Sequence, residues 1–193
     1  MPDLSAAPVP EQKGTLRQAV REQLAALPDR ASRSERLCAA IADSEEWMRA
    51  ECIGLFAPMW HEPDVELLWP RARGKTIAFP AIRGDRLEFV AITDRAALIP
   101  GAKGIREPGA DAVNAVAVAR IDLLLVPGAA FSLKGERLGR GGGFYDRLLA
   151  LPGFRAFTIG VAFGVQLGAS VPVEAHDRGV DAIATESGIQ RVR

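Results

Sequence analysis

Between Val126 and Ala150 the chain reads VPGAAFSLKGERLGRGGGFYDRLLA, with six glycines and four lysine or arginine side chains set between two apolar runs. A loop that only turns the chain has no use for so much positive charge. Gly139, Gly141, Gly142 and Gly143 reach backbone angles closed to other residues, so successive N–H groups can face one concavity of phosphate size. A helix starting at the end of this run adds its positive pole. Arg137 and Arg140 carry planar guanidinium forks that suit two-point contact with phosphate oxygens. Asp146 then needs a reason, because a carboxylate beside a phosphate is repelled unless a divalent cation such as magnesium lies between them. Three readings stay open on these residues alone: a plain glycine-rich turn, a helix-dipole partner in Asp146, or a magnesium nucleotide site. The order matches neither the G-x-x-x-x-G-K-[ST] of a P-loop nor a G-x-G-x-x-G placed directly after its strand, so the local chemistry stops at an anion site.

Other candidates lie apart in sequence. Lys13 and Arg17, four residues apart, share one face of the first predicted helix, as phosphate ligands or as a solvated stripe. Met59, Trp60 and Glu62 sit in the segment PMWHEPD, where an aromatic or a methionine can line a ligand pocket or belong to the core, and where Glu62 before Pro63 also reads as a helix start. Asp181 reads as a turn or strand-edge aspartate. His176 and Asp177 have no derivable role.

The elements that must position these groups alternate between helix and strand. Leu16, Val20, Leu24 and Leu27 recur at spacings of three and four, which predicts an amphipathic helix over 13–26 ending before Pro28. A second helix is expected over 32–42, and Ser44 caps a short third one through Met48. CIGLFA, KTIAFPAI and RLEFVAI predict three strands, with a helix from near Pro63 between the first two. Residues 93–114 predict a long surface loop. The continuous apolar run 121–126 suits a central strand buried on both faces, and ligands sit at the ends of such strands in open α/β sheets. The glycine-rich run then leads into a helix closing at Pro152, followed by strands AFTIGVAF and DAIATE.

Composition bounds the partners. Lys plus Arg and Asp plus Glu each total 24, so no global field favours nucleic acid or an anionic membrane, and any preference for anions is local. The 193 residues, 48% of them hydrophobic, predict a single domain over 13–193 behind a loose tail at 1–12. That tail has neither a cationic start nor an apolar core, so it reads as no secretory signal. The most apolar region holds Asn114, Arg120, Asp122 and Pro127, which lipid would penalise, and two cysteines are too few for a disulfide framework. A soluble, cytoplasmic protein is the expectation.

The order of residues carries more than their types. VPGAAFSLKGERLGRGGGFYDR closely resembles the signature of the 5-formyltetrahydrofolate cyclo-ligase (5,10-methenyltetrahydrofolate synthetase) family. KGTLR resembles that family's Lys-x-x-Leu-Arg, GIREP its Gly-Ile-x-Glu-Pro loop, and VPVEAHDRGVDAIATE its C-terminal signature. Together they span Lys13 to Glu186. The resemblance implies an α/β/α three-layer domain with a mixed, mostly parallel sheet; a monomer is the expectation. It implies an ATP- and magnesium-dependent ligase of one-carbon metabolism that converts 5-formyltetrahydrofolate to 5,10-methenyltetrahydrofolate, releasing ADP and phosphate. By the same resemblance Lys13, Arg17, Arg137, Leu138, Gly139, Arg140, Gly141, Gly142, Gly143, Phe144 and Tyr145 bind ATP. Arg137 and Tyr145 act in catalysis, Glu62, Trp60 and Tyr145 meet the folate, and Asp146 and Asp181 hold magnesium. The chain departs from the family pattern at Phe144, where a tyrosine is usual, at Gly142, where some relatives carry lysine, and before GIREP, where an aromatic residue is missing. A non-catalytic folate or nucleotide binder on the same scaffold, or a sugar-phosphate or acyl-CoA protein, are the competing expectations.

Overall fold

The computed structural model describes residues 7–101, 104–109, 114–168 and 170–192. Along the chain run α1 (Val9–Ala26), α2 (Arg30–Ala42), α3 (Glu45–Arg49), β1 (Cys52–Gly54), β2 (Thr76–Arg83), β3 (Arg86–Ala91), β4 (Leu98–Pro100), β5 (Arg106–Pro108) and β6 (Ala115–Val116). The second half adds β7 (Leu123–Pro127), β8 (Ala130–Ser132), β9 (Arg137–Leu138), α4 (Phe144–Leu149), β10 (Phe157–Val161), β11 (Leu167–Gly168), β12 (Ala182–Thr185) and β13 (Gly188–Arg191).

Eight strands form one mixed sheet in the order β13, β12, β10, β7, β1, β2, β3, β6. The pairings from β12 through to β2 are parallel, and the antiparallel ones fall at the two flanks. Strand β7 lies at the centre and shows why. Its run Leu123–Val126 is fully buried, with Leu123 and Leu125 in the core on one face and Leu124 and Val126 in the core on the other. Successive side chains of a strand point oppositely, so a run apolar at every position demands cover on both sides. One face is covered by α2, α3 and the turn after β1, the other by α4 and the strand β8. Pro80 stands inside β2 because β1 pairs with β2 only as far as Ala78, so no neighbour asks for the missing N–H.

Helix α1 starts four residues before the predicted position, with Pro10 in its first turn, where proline fits. Its apolar stripe, Leu16, Val20 and Leu24, packs with Ala130, Leu138, Phe163 and Val171, so α1 rests on the small sheet β11, β8, β9 rather than on the main one. That docking brings Arg17 beside the glycine-rich segment and Lys13 beside the turn that carries Glu174 and Asp177.

Four expectations change. The predicted helix from Pro63 is a 3-10 helix over Val65–Arg71, and Pro70 inside it cannot donate to a longer helical ladder. The predicted loop over 93–114 contains the antiparallel β4–β5 pair. Strand β13 extends the sheet past DAIATE, pairing antiparallel with β12. Strands β8 and β9, three and two residues long, lie within the segment read as glycine-rich loop.

Candidate active site

A cavity of about 290 Å³ opens beyond the carboxyl ends of β1 and β7, where the central strands of an α/β sheet leave a crevice. One wall is apolar, made by Phe56 after β1, Pro80 and Ile82 of β2, and Leu87 of β3. The other carries Arg137, Arg140, Tyr145 and Asp146 with the glycines between them. Ile105 and Glu107 of the β4–β5 hairpin lie at its rim, and Glu107 is anchored by accepting the Ile82 N–H at 2.7 Å. Arg106 beside it is ion-paired to the buried Glu66, which fixes the hairpin to the 3-10 helix.

The arginine wall is built by short-range geometry. Arg137 lies in β9, 4% exposed, with Nη2 donating to Asp146 Oδ1 at 2.6 Å and its guanidinium 5.9 Å from the Tyr145 ring centre. Gly141 and Gly143 take φ of 101° and 66°, a left-handed region that favours glycine, and Gly143 forms the N-cap of α4. With six residues α4 is a single turn and a half, so its dipole contributes little and the positive field here comes from the guanidinium groups. Arg140 reaches across to the loop after β1. Its Nη2 pairs with Glu62 Oε1 at 2.6 Å and lies 2.8 Å from His61 Nε2, while Nη1 contacts the Met59 sulfur.

Burial decides the protonation chemistry. The Glu62 side chain is only 6% exposed, and this desolvation pushes its carboxyl above the ordinary carboxylate range, against the pull of Arg140 and of the Met59 N–H that donates to Oε2. Burial likewise raises the Tyr145 phenol far above its ordinary value, helped by the Glu62 carboxylate and opposed by Arg137 and Arg140. His61 is pushed down by burial and by the neighbouring Arg140, Arg21 and Arg30. The Tyr145 hydroxyl and Arg137 Nε are both buried and have no hydrogen-bond partner among the described residues.

Most of the sequence-predicted site is brought together, but not all. Arg137, Gly139, Arg140, Gly142, Gly143, Phe144, Tyr145, Asp146, Met59 and Glu62 line the cavity. Leu138 turns into the core under α1, and Gly141 is exposed without lining the cavity. Arg17 joins the glycine segment by donating from Nε to the Gly139 carbonyl at 2.9 Å. Lys13, predicted to face phosphate, is 7% exposed and ion-paired to Glu174 at 2.7 Å and Asp177 at 2.5 Å. Trp60 is corrected. It is 71% exposed, stacked under the Arg30 guanidinium and edge-on to His61, because the tight turn closed by Glu62 N–H on Met59 carbonyl points Met59 inward and Trp60 out.

Asp181 is not brought to Asp146. Its Oδ2 accepts the Thr158 N–H at 2.8 Å and the Thr158 hydroxyl at 2.7 Å, at the amino ends of β10 and β12, away from the cavity lining. Among the described residues no cluster of three His, Cys, Asp or Glu side chains is arranged to hold a metal. Asp146 alone fits magnesium. Its Oδ2 has no hydrogen bond among the described residues, and magnesium is commonly held by one or two carboxylates with phosphate oxygens and waters completing its shell. Phe56, Pro80, Ile82 and Leu87 were not foreseen as lining residues, since apolar residues in predicted strands read as core.

The crevice of this open α/β sheet sets an apolar wall against a wall that carries Arg137, Arg140 and the glycines between them. The model of the 5-formyltetrahydrofolate cyclo-ligase family matches residues 9–186, and the chain belongs to that family of enzymes. It is 34% identical to the 5-formyltetrahydrofolate cyclo-ligase of Escherichia coli K12 over 132 residues, 66% of this chain and 71% of the other. It is 28% identical to that of Mus musculus over 95% of this chain and 98% of the other. The solved structure of the Aquifex aeolicus 5,10-methenyltetrahydrofolate synthetase superposes with a TM-score of 0.82 at 32% identity, covering 94% of this chain and 93% of that one.

Proposed function

We propose that this chain converts 5-formyltetrahydrofolate to 5,10-methenyltetrahydrofolate while ATP is converted to ADP and phosphate, the phosphate leaving with the formyl oxygen, as a cytoplasmic monomer. The observation that carries the reading is the Arg140–Glu62 ion pair, which fastens the cationic segment to the loop after β1 and so places an anion site and an apolar site in one cavity. The pterin ring lies against Phe56, Pro80, Ile82 and Leu87, and the nucleotide phosphates against Arg137, Arg140 and the glycine N–H groups.

The chemical problem is a poor leaving group. The formyl oxygen, amide-like at N5, attacks the γ-phosphorus, the bond to ADP breaks, and an imidate phosphate ester forms. N10 then attacks the formyl carbon, loses its proton, and expels phosphate as the carbon–oxygen bond breaks. Arg137 and Arg140 neutralise charge on the transferring phosphoryl group, where buried cations act most strongly. The Tyr145 hydroxyl, kept protonated by burial, donates to an oxygen of the reacting centre. Glu62, anchored by the Met59 N–H, orients the folate beside that centre. Arg17 stands at the glycine segment as a further phosphate ligand. Magnesium, held by Asp146 Oδ2 and phosphate oxygens, would supply charge neutralisation between the carboxylate and the nucleotide.

Purified protein mixed with 5-formyltetrahydrofolate and magnesium ATP is expected to develop the near-ultraviolet absorbance of the methenyl product, with one ADP per product. Nucleotide and folate binding without turnover would instead establish a non-catalytic binder, and failure to bind folate would remove the reading.

A further inference from the structure

The HD pair of the C-terminal segment, without a role in sequence, acquires one from its neighbours. Asp177 Oδ2 accepts from Lys13 Nζ at 2.5 Å and from the Glu174 N–H at 2.6 Å, and its side chain is 12% exposed. Glu174 also accepts from Lys13, at 2.7 Å, with 38% of its side chain exposed. The next residue, Arg178, donates its backbone N–H to Asp146 Oδ1 at 3.2 Å, the same oxygen that holds Arg137. One turn, 174–178, therefore ties the ammonium of α1 to the carboxylate at the arginine wall. One helical turn on from Lys13, Arg17 binds the Gly139 carbonyl, so the two cations of α1 are fixed to two neighbouring segments, Lys13 to the 174–177 turn and Arg17 to the glycine-rich run.

One ammonium faces two carboxylates, while the turn's own cation, Arg178, donates to the Ala175 and Asp177 carbonyls. A triphosphate drawn toward Lys13 competes with those carboxylates unless one of them withdraws. Glu174 is the one free to do so, being the more exposed and having no second anchor for its side chain among the described residues, whereas Asp177 is gripped by Lys13 and by backbone.

We propose that Asp177 is a positioning residue that aims Lys13 at the nucleotide phosphates, and that Glu174 occupies the ammonium in the ligand-free protein and is displaced by phosphate. The proposal rests on reading the glycine-rich wall as the nucleotide site. Glu174 thus competes with the nucleotide, and Asp177 supports it.

The test is calorimetric titration of the full chain with magnesium ADP and a non-hydrolysable ATP analogue, beside steady-state kinetics and thermal midpoints. Glu174→Gln is expected to tighten the analogue by about threefold, and Asp177→Asn to weaken it by about tenfold while raising the KM for ATP more than it lowers kcat. Opposite signs at two carboxylates on one ammonium are what a purely structural ion-pair cluster does not give. If both variants weaken binding, or neither alters it while the midpoints fall, the positioning role is wrong although the nucleotide site stands. If the unaltered chain binds neither nucleotide, both readings fall together. Should Asp177→Asn not fold, Glu174→Gln decides alone: its exposed position tolerates the change, and unchanged or weaker binding overturns the proposal.

Discussion

Tyr145→Phe should make the protein more stable and less active at once. The Tyr145 hydroxyl is buried and has no partner among the described residues, so the folded chain carries the desolvation cost of a polar group without a hydrogen bond in return. Such a group costs about 1–3 kcal/mol, and the small void left by removing it takes back about 1 kcal/mol at most, for a net gain near 1 kcal/mol. The ring keeps its place under Arg137, 5.9 Å from the guanidinium carbon, because phenylalanine retains the π face. For a chain of this size 1 kcal/mol corresponds to a rise of about 2–4 °C in Tm. The same hydroxyl, if it donates to the charged reacting centre, contributes about 1.5–3 kcal/mol there, so kcat should fall by roughly 10- to 100-fold. Scanning calorimetry and the methenyl absorbance assay read the two effects on one preparation. Since burial holds the phenol protonated well beyond its ordinary range, wild type and variant should share the shape of the alkaline limb of kcat. A lower Tm with unchanged kcat would refute the reasoning, because it would mean that the hydroxyl satisfies an internal partner and never meets substrate.

Three further outcomes separate roles within the site. Asp146→Asn retains an oxygen for Arg137 but lacks the charge for magnesium, so nucleotide affinities with and without magnesium should coincide; a persistent magnesium effect in titration would place the ion elsewhere. Asp181→Ala should cost about 1–2 kcal/mol in urea unfolding by abandoning the two Thr158 donors while leaving the magnesium dependence of turnover intact, and loss of that dependence would return Asp181 to the metal site. The Lys13–Asp177 pair sets a pH window. Burial alone would raise the Asp177 carboxyl and lower the Lys13 ammonium, but their mutual hydrogen bond and charge outweigh it, so Asp177 titrates below 3.8 and Lys13 above 10.5. A depressed carboxylate stabilises above its unfolded pKa and loses that contribution as pH falls through the folded one; a raised ammonium does the reverse at high pH. The stability difference between wild type and Asp177→Asn should accordingly be flat from pH 5 to 9 and shrink in acid below about 4, and a difference constant down to pH 2 would contradict the pairing.

What the sequence made legible follows from the range of the interactions involved. Periodicity is local, so the burial of Leu16, Val20 and Leu24 and the two-faced burial of Leu123–Val126 followed from spacing alone. The arginine and glycine wall was legible for the same reason, since Arg137 and Asp146 are nine residues apart and their pairing is set by one loop and one turn. Contacts of long sequence separation were not. Asp177 meets Lys13 across 164 residues, and no pattern near HD announces it. Trp60 shows what residue type leaves open without direction: PMWHEPD places three candidate side chains on one tight turn, which can present only some of them to a cavity. For Asp181 the motif does not encode that its carboxylate accepts from Thr158 in the ligand-free chain. The 3-10 geometry of Val65–Arg71 and the β4–β5 pair depend on where neighbouring strands end, which spacing does not encode.

The site's cations share a design that bears on how it binds. Arg137 holds Asp146, Arg140 holds Glu62, and Lys13 holds Glu174 and Asp177, while Arg17 rests on a carbonyl. A buried unpaired guanidinium costs several kcal/mol, so these carboxylates are what let a cationic wall fold in the absence of ligand. On the proposed function, phosphate would not fall into an open positive field; it would exchange with carboxylates already in place, gaining only the difference between two sets of charge-assisted hydrogen bonds. The exchange at Arg140 would also free Glu62 for the folate. The arrival of nucleotide at one wall thereby changes the charge presented at the other, and the Arg140–Glu62 pair is where the two substrates are coupled. A binding linkage of that origin requires that nucleotide alter folate affinity in the unaltered chain and that Arg140→Ala, by cutting the bridge, make the two affinities independent.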